Sequence, residues 1–186
     1  FGEALRQASF NGVSIMTGTG YVSANFSAWG GFATTILLIV MFIGGCGGST
    51  TCGIKVFRLQ VLASTAKVQI SRLLRPHAVV LAYYNKRPVS VEVMDSVMGF
   101  FYLFILGFVL IAIMLGMAGL DFVTALSGAA TSISNVGPGL GEVIGADGNF
   151  STLPDSAKWI MSFAMLLGRL EIFTVLVMLN PAFWQR

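Results

Sequence analysis

The sequence predicts an all-α integral membrane protein with re-entrant loops, and three observations predict it. The chain is 55% hydrophobic and 10% charged, with mean hydropathy +0.82, too apolar for an ordinary soluble domain. Its charges are clustered: nothing ionises at neutral pH between Arg6 and Lys55, or between Asp95 and Asp121, and both gaps are long enough to cross a bilayer. Its 22 glycines follow no collagen period and form no low-complexity tract. Inside apolar segments they mark close helix packing, or backbone that leaves helical geometry at membrane depth.

The elements follow in order. Residues 2–16 (GEALRQASFNGVSIM) are moderately apolar and too short to span, which predicts a half-helix that enters the membrane and stops. Residues 17–28 read as loop, and residues 29–45 as an apolar helix ending at Gly44-Gly45. The stretch 46–53 (CGGSTTCG) is too rich in Gly, Ser and Thr to hold a helix. Helix resumes through IKVFRLQVLASTAKVQISRLL, amphipathic and basic, to a turn near Arg75-Pro76 and the YYNKRP segment. Residues 92–119 form a long apolar helix, capped on the outer side by Gly119 and Asp121. A second short apolar piece (122–134) and a glycine-rich loop follow, and then a final span at 156–180 ended by Pro181, with Arg186 inside.

Charge sets the orientation. Lys55, Arg58, Lys67, Arg72, Arg75, Lys86 and Arg87 stand together with no acid among them, so this connection is expected on the cytoplasmic side. Asp121, Glu142, Asp147 and Asp155, against Lys158 alone, mark the opposite side. The basic run lacks interleaved aromatics and is flanked by membrane segments, which argues against nucleic acid.

The two halves repeat one plan. Asn25-Phe26-Ser27 and Asn149-Phe150-Ser151 lie 124 residues apart, a register that sets Gly45 over Arg169. TGTGY (from Thr17) and SNVGP (from Ser134) align at a spacing of 117, the difference being a longer outer loop in the second copy. Each unit is a half-helix, a loop and a spanning helix.

Glycine-rich backbone just after a short apolar helix exposes carbonyls, and rings of carbonyls can replace the hydration shell of a cation. Two copies in matching positions therefore point to a pathway for monovalent cations, with Gly18, Gly20, Gly137 and Gly139 at its tightest points. Arg169 stands near the centre of the expected span Trp159–Leu179, where an arginine costs roughly 2.5–3.5 kcal/mol. Glu171 lies on another helix face, so a partner is expected elsewhere: the free carbonyls and the Ser49, Thr50 and Thr51 hydroxyls of the broken segment. The two would meet below the filter and form a constriction.

Enzyme motifs fail. Gly48–Gly53 has the glycine spacing of a phosphate-binding loop, but Ile54 precedes Lys55 and Val56 replaces the hydroxyl residue. TGTGYVS has Ser23 at the third glycine position of a dinucleotide fingerprint, and no strand precedes it. His77 is the only histidine, acids are sparse, and Cys46 and Cys52 form no CxxC pair, so no catalytic site, organic cofactor or cysteine–histidine metal site is expected. Two other classes stay open: a secondary transporter with broken helices around a midplane site, and a purely structural membrane subunit.

The stretches SIMTGTGYVSANFS, FIGGCGGSTTCGIKVFRLQVL, SNVGPGLG and MLLGRLEIFTVLVMLNPAFW resemble the Trk/Ktr/HKT superfamily of potassium transporters, and within it the C-terminal portion of the bacterial Trk uptake membrane subunit (TrkH-like). The resemblance covers essentially the whole chain. It implies M1–P–M2 repeats with re-entrant pore loops around a pseudo-fourfold, potassium-channel-like pore. Residues 1–58 would then hold the pore helix, filter loop and broken M2 of the third repeat. Residues 59–90 would be the basic cytoplasmic connection, and residues 91–186 the complete fourth repeat. Gly18, Thr19, Gly20, Asn135, Val136 and Gly137 would form potassium-coordinating filter strands. Gly44, Gly45, Gly47, Gly48, Ser49, Thr50, Thr51 and Gly53 would form an intramembrane gating loop met by Arg169. The family further implies a multi-pass protein of the bacterial inner membrane, a homodimer, and a cytosolic nucleotide-binding ring (TrkA-like) as partner. Two filter strands are missing, so the chain is expected to be a piece of a longer protein or to be completed by other copies.

Overall fold

The computed structural model describes residues 1–75, 80–170, 172–179 and 181–184. Pro76 and His77, Glu171 and Arg186 lie outside the described residues.

Eight helices carry the described chain. Helix α1 (Gly2–Met16) runs into a loop, and a short 3-10 turn (Phe26–Trp29) leads to α2 (Gly31–Phe42). Helix α3 (Val56–Leu74) precedes a hairpin of β1 (Tyr83–Tyr84) and β2 (Arg87–Pro88). Helix α4 (Val91–Met117), α5 (Phe122–Ser134), a second 3-10 turn (Phe150–Thr152), α6 (Asp155–Arg169), α7 (Ile172–Leu179) and α8 (Pro181–Trp184) complete it.

Helix α4 alone among the described residues is long and apolar enough to cross a bilayer. It has 27 residues and mean hydropathy 2.7, and only 22% of its most apolar window is buried. A core helix of a soluble protein would be covered. Here Tyr102, Leu106, Val109, Leu110 and Ile113 are exposed, the surface lipid would solvate.

Helix α5 has the opposite character. Ten of its 13 residues are buried, so this short helix is the axis of the structure. Its Ala125, Ala129 and Ile133 pack against Phe104, Ile111 and Leu115 of α4 and against Ala157, Met161 and Ala164 of α6. On its other side Ala130 joins Ile15 of α1, Phe26, and Leu37 and Met41 of α2. Small residues let three helices approach one short helix this closely. Asp121 begins α5 by accepting a hydrogen bond from the Thr124 amide at 3.2 Å, the usual N-cap arrangement.

The repeat is visible in the elements. Asn25 and Asn149 each accept a 3.0 Å hydrogen bond from the amide of Ser27 and Ser151 respectively, opening the two 3-10 turns. Helices α2 and α6 start at Gly31 and Asp155, which coincide on the 124-residue register.

Four expectations need correction. The helix expected over 29–45 begins at Gly31 and ends at Phe42, because Ile43 is already extended and pairs with Ile54 in a parallel bridge. The span expected over 156–180 is described as two helices, α6 and α7, with α6 ending at Arg169 and Leu170 forming a bend after it. Arg169 is therefore the last residue of a helix rather than the middle of one. Gly119 follows the end of α4 with φ +92°, while Asp121 belongs to the start of α5 and caps nothing on α4. YYNKRP is a hairpin around Asn85 (φ +48°) and Lys86 (φ +64°), the two left-handed residues a type I′ turn requires. Strands of two residues are too short for any period to be read from sequence.

Candidate functional site

The two glycine-bearing strands leave their helices by the same bonds. Gly18 donates to the Ile15 carbonyl and Asn135 to the Ser132 carbonyl, both at 3.2 Å. Thr19 donates to the Ser14 carbonyl and Val136 to the Thr131 carbonyl, both at 3.0 Å. Every one of these partners is related by the 117-residue spacing. Left-handed residues then fall in step, at Gly18 (φ +68°) and Gly20 (φ +76°) in one strand and at Asn135 (φ +52°) and Gly137 (φ +113°) in the other. A hydroxyl one turn back braces each strand. Ser14 Oγ donates to the Tyr21 carbonyl at 2.7 Å, and Thr131 Oγ1 accepts from the Gly137 amide at 3.0 Å. Asn11, fully buried, bonds both the side chain and the amide of Ser23 and ties the end of the first loop to α1.

The strands also meet one another. A Cβ on Gly20 would lie 2.6 Å from the Val136 carbonyl oxygen, and one on Gly18 would lie 3.3 Å from the Asn135 carbonyl oxygen. Only glycine permits this approach of backbone to carbonyl, and the left-handed φ at Gly20 excludes a side chain independently.

A loop between α2 and α3 closes against them. It is pinned at its neck by Gly44 donating to Ile54 (2.9 Å), Ile54 to Phe42 (2.8 Å) and Val56 to Gly45 (3.2 Å). A Cβ on buried Gly44 would strike the Cys52 carbonyl, so the neck closes only around glycine. Within the loop Ser49 and Thr51 hydroxyls are 2.8 Å apart, and the Lys55 ammonium donates to the Ser49 carbonyl at 3.3 Å. Thr51 Cγ2 lies 3.8 Å from the Cβ position of Gly18, which puts the loop at the end of the first strand. Arg169 reaches it from α6: Nη1 donates to the Thr50 carbonyl at 2.6 Å and lies 3.7 Å from Cys52 Sγ. A cavity of about 260 Å³ adjoins this contact, lined by Ser49–Gly53, Lys55, Arg58, Phe100, Phe104 and Arg169 among others. The Arg58 guanidinium stacks 3.8 Å from the centre of the Phe100 ring.

Residues 1–186 match the TrkH family of cation transport proteins over their whole length. The chain belongs to that family. It is 48% identical over 183 residues to the Trk system potassium uptake protein TrkI of Halomonas elongata, covering 98% of this chain and 37% of that protein. It is 37% identical over 181 residues to the Trk system potassium uptake protein TrkH of Escherichia coli, covering 97% of this chain and again 37% of the relative. The fold agrees with the crystal structure of the potassium transporter TrkH from Vibrio parahaemolyticus at TM-score 0.89 and 40% identity, over 98% of this chain and 38% of that one. The chain thus spans well under half the length of the relatives it matches.

Within this TrkH-family chain, the structure gathers the six strand residues into one place and brings Arg169 to the glycine-rich loop. Gly47 and Gly48 are exposed, and the Arg169 contact is made at Thr50 and Cys52 instead. Sequence reasoning missed two participants and the partner of a third. Gly168 packs so tightly on the end of α5 that any Cβ would strike the Ile133 carbonyl. The Asn135 carboxamide donates to the Met165 carbonyl of α6 at 3.0 Å instead of standing free beside its strand. Lys55 adds a second cation to the loop. Gly168 had a legible signal: on the 124-residue register it lies over Gly44, and both are positions where a backbone carbonyl occupies the Cβ site. The Asn135 contact had none, because nothing local tells which way a carboxamide turns.

Proposed function

We propose that this chain supplies two of the strands of a potassium-selective filter, together with the loop and the arginine that gate it, in a protein that takes up potassium across the bacterial inner membrane. The observation that carries the reading is the matched pair of strands 18–20 and 135–137, in step in their left-handed residues and touching through Gly20 and Val136. Carbonyls of Gly18, Thr19, Gly20, Asn135, Val136 and Gly137 would coordinate the ion as substrate, in loops that re-enter from the outer side. Potassium is the ion named for the relatives, and the same specificity is assigned here. Residues 44–53 form the gate, held by Arg169. A fixed positive charge beside a narrow passage raises the barrier to cations, so release of Arg169 from Thr50 would open it.

In this reading residues 1–58 and 91–186 are consecutive pore repeats, and residues 59–90 are their cytoplasmic connection. The remaining strands come from the rest of the protein. A homodimer, and a cytosolic nucleotide-binding ring contacting the basic connection, complete the assembly. This reading assigns the chain ion transport and no catalytic step.

Rubidium uptake into liposomes holding the full-length protein tests this, comparing wild type with Gly137→Ser and Arg169→Ala. Selectivity lost in the first and faster flux in the second are expected. Unchanged flux in both would leave only a structural role.

A further inference from the structure

The hydrogen bond from Asn135 to Met165 joins the strand after α5 to α6. Asn135 occupies a left-handed position whose counterpart in the other strand is Gly18, so glycine satisfies the backbone there. Asparagine tolerates the same conformation but adds a carboxamide. That carboxamide donates to Met165, one helical turn before Arg169. Gly168, between them, is pressed on the Ile133 carbonyl at the end of α5. The last turn of α6 therefore touches the second strand at one end and, through Arg169, the gating loop at the other. The loop in turn reaches Gly18 of the first strand through Thr51. Interiors packed this closely transmit a displacement instead of absorbing it.

We propose that Asn135 is a positioning residue for ion selection: its side chain ties the second filter strand to α6, so that strand geometry and the Arg169–Thr50 contact are set together. This rests on the filter-and-gate reading above. It predicts that selectivity changes when the gate contact is lost, and that the change travels through Asn135.

The test is a double-mutant cycle in the full-length protein in liposomes, reading the ratio of rubidium to sodium flux for wild type, Asn135→Gly, Arg169→Ala and the double variant. Asn135→Gly keeps the left-handed backbone and removes only the tether. Its flux ratio should fall by up to about tenfold, the factor equivalent to one net hydrogen bond. The double variant should fall no further than Asn135→Gly alone, since the path to the strand is already cut. A wild-type ratio near one would sink the filter reading itself. A selective wild type with an unchanged Asn135→Gly ratio, or with effects that simply add, would overturn the tether while leaving the filter intact. If Asn135→Gly does not fold, Asn135→Ala removes the carboxamide without adding a charge, and the same cycle with Arg169→Ala reads non-additivity free of any new Coulomb coupling.

Discussion

Arg169 is the last residue of α6 and donates to the Thr50 carbonyl at 2.6 Å, so the charge expected to be the most costly in the chain is met by backbone that a broken helix has left free. The partner lies on another element, 119 residues away along the chain, so the loop and the last turn of α6 must be packed together for the charge to be met. A charged hydrogen bond of this kind contributes about 1.5–3 kcal/mol.

Arg169→Ala should therefore raise rubidium flux by roughly one to two orders of magnitude, if that bond is what keeps the loop closed. Arg169→Lys should fall between the two, because a point charge replaces a fork of donors. Stopped-flow or tracer uptake measures both, and a lysine variant as fast as alanine would count against a geometric lock.

Gly20→Ala should abolish preference for rubidium over sodium, whereas Gly30→Ala should leave it unchanged. Both residues have positive φ, +76° and +90°, and Gly30 with ψ 166° lies in a region essentially reserved for glycine, so both substitutions carry backbone strain of about 1–3 kcal/mol. Only at Gly20 does a carbonyl of the opposing strand stand 2.6 Å from the new methyl; nothing lies within 4 Å at Gly30. Equal loss of selectivity in the two variants would show that strain, not strand contact, is what matters.

Gly168→Ala should destabilise the protein by about 1–3 kcal/mol, since the atom in the way is the Ile133 backbone oxygen, which cannot rotate aside. Thermal unfolding in detergent checks this. A variant as stable as wild type would mean that α6 is free to shift on α5.

Asp121 makes stability depend on pH. The Thr124 hydroxyl, and then the Thr124 amide, hold its carboxyl below the ordinary value of 3.8. A carboxylate with a lowered folded-state value stabilises the fold above the unfolded value and loses that contribution as pH falls through the folded one. The stability advantage of wild type over Asp121→Asn should therefore be full at pH 6 and shrink below about pH 4. Asp121→Ala should lose about 1 kcal/mol at neutral pH through the missing cap. An advantage that grew on acidification would contradict this assignment.

Sequence carried the division into elements because that division is local. Short apolar runs at 2–16 and 122–134 predicted short helices, and both segments are helical. The repeat register, read from two NFS triplets and two glycine-bearing strands, anticipated the matched hydrogen bonds at Thr19 and Val136. It failed where two chemically similar segments differ by contacts. Residues 156–180 read as one span because nothing in their apolar pattern marks the break after Arg169; Gly168 and its carbonyl neighbour belong to different elements.

The sequence by itself determined that this chain lies in a membrane, that it is built twice on one plan, and that glycines follow its two short apolar helices at matching positions. These follow from composition, period and the left-handed positions that few residues other than glycine adopt. Only the tertiary structure decided that α5 is the axis, that Arg169 ends a helix to meet Thr50, and that Asn135 turns away to α6. Each is a contact between groups distant along the chain, and its geometry is set by packing around one short helix, not by the preferences of either partner.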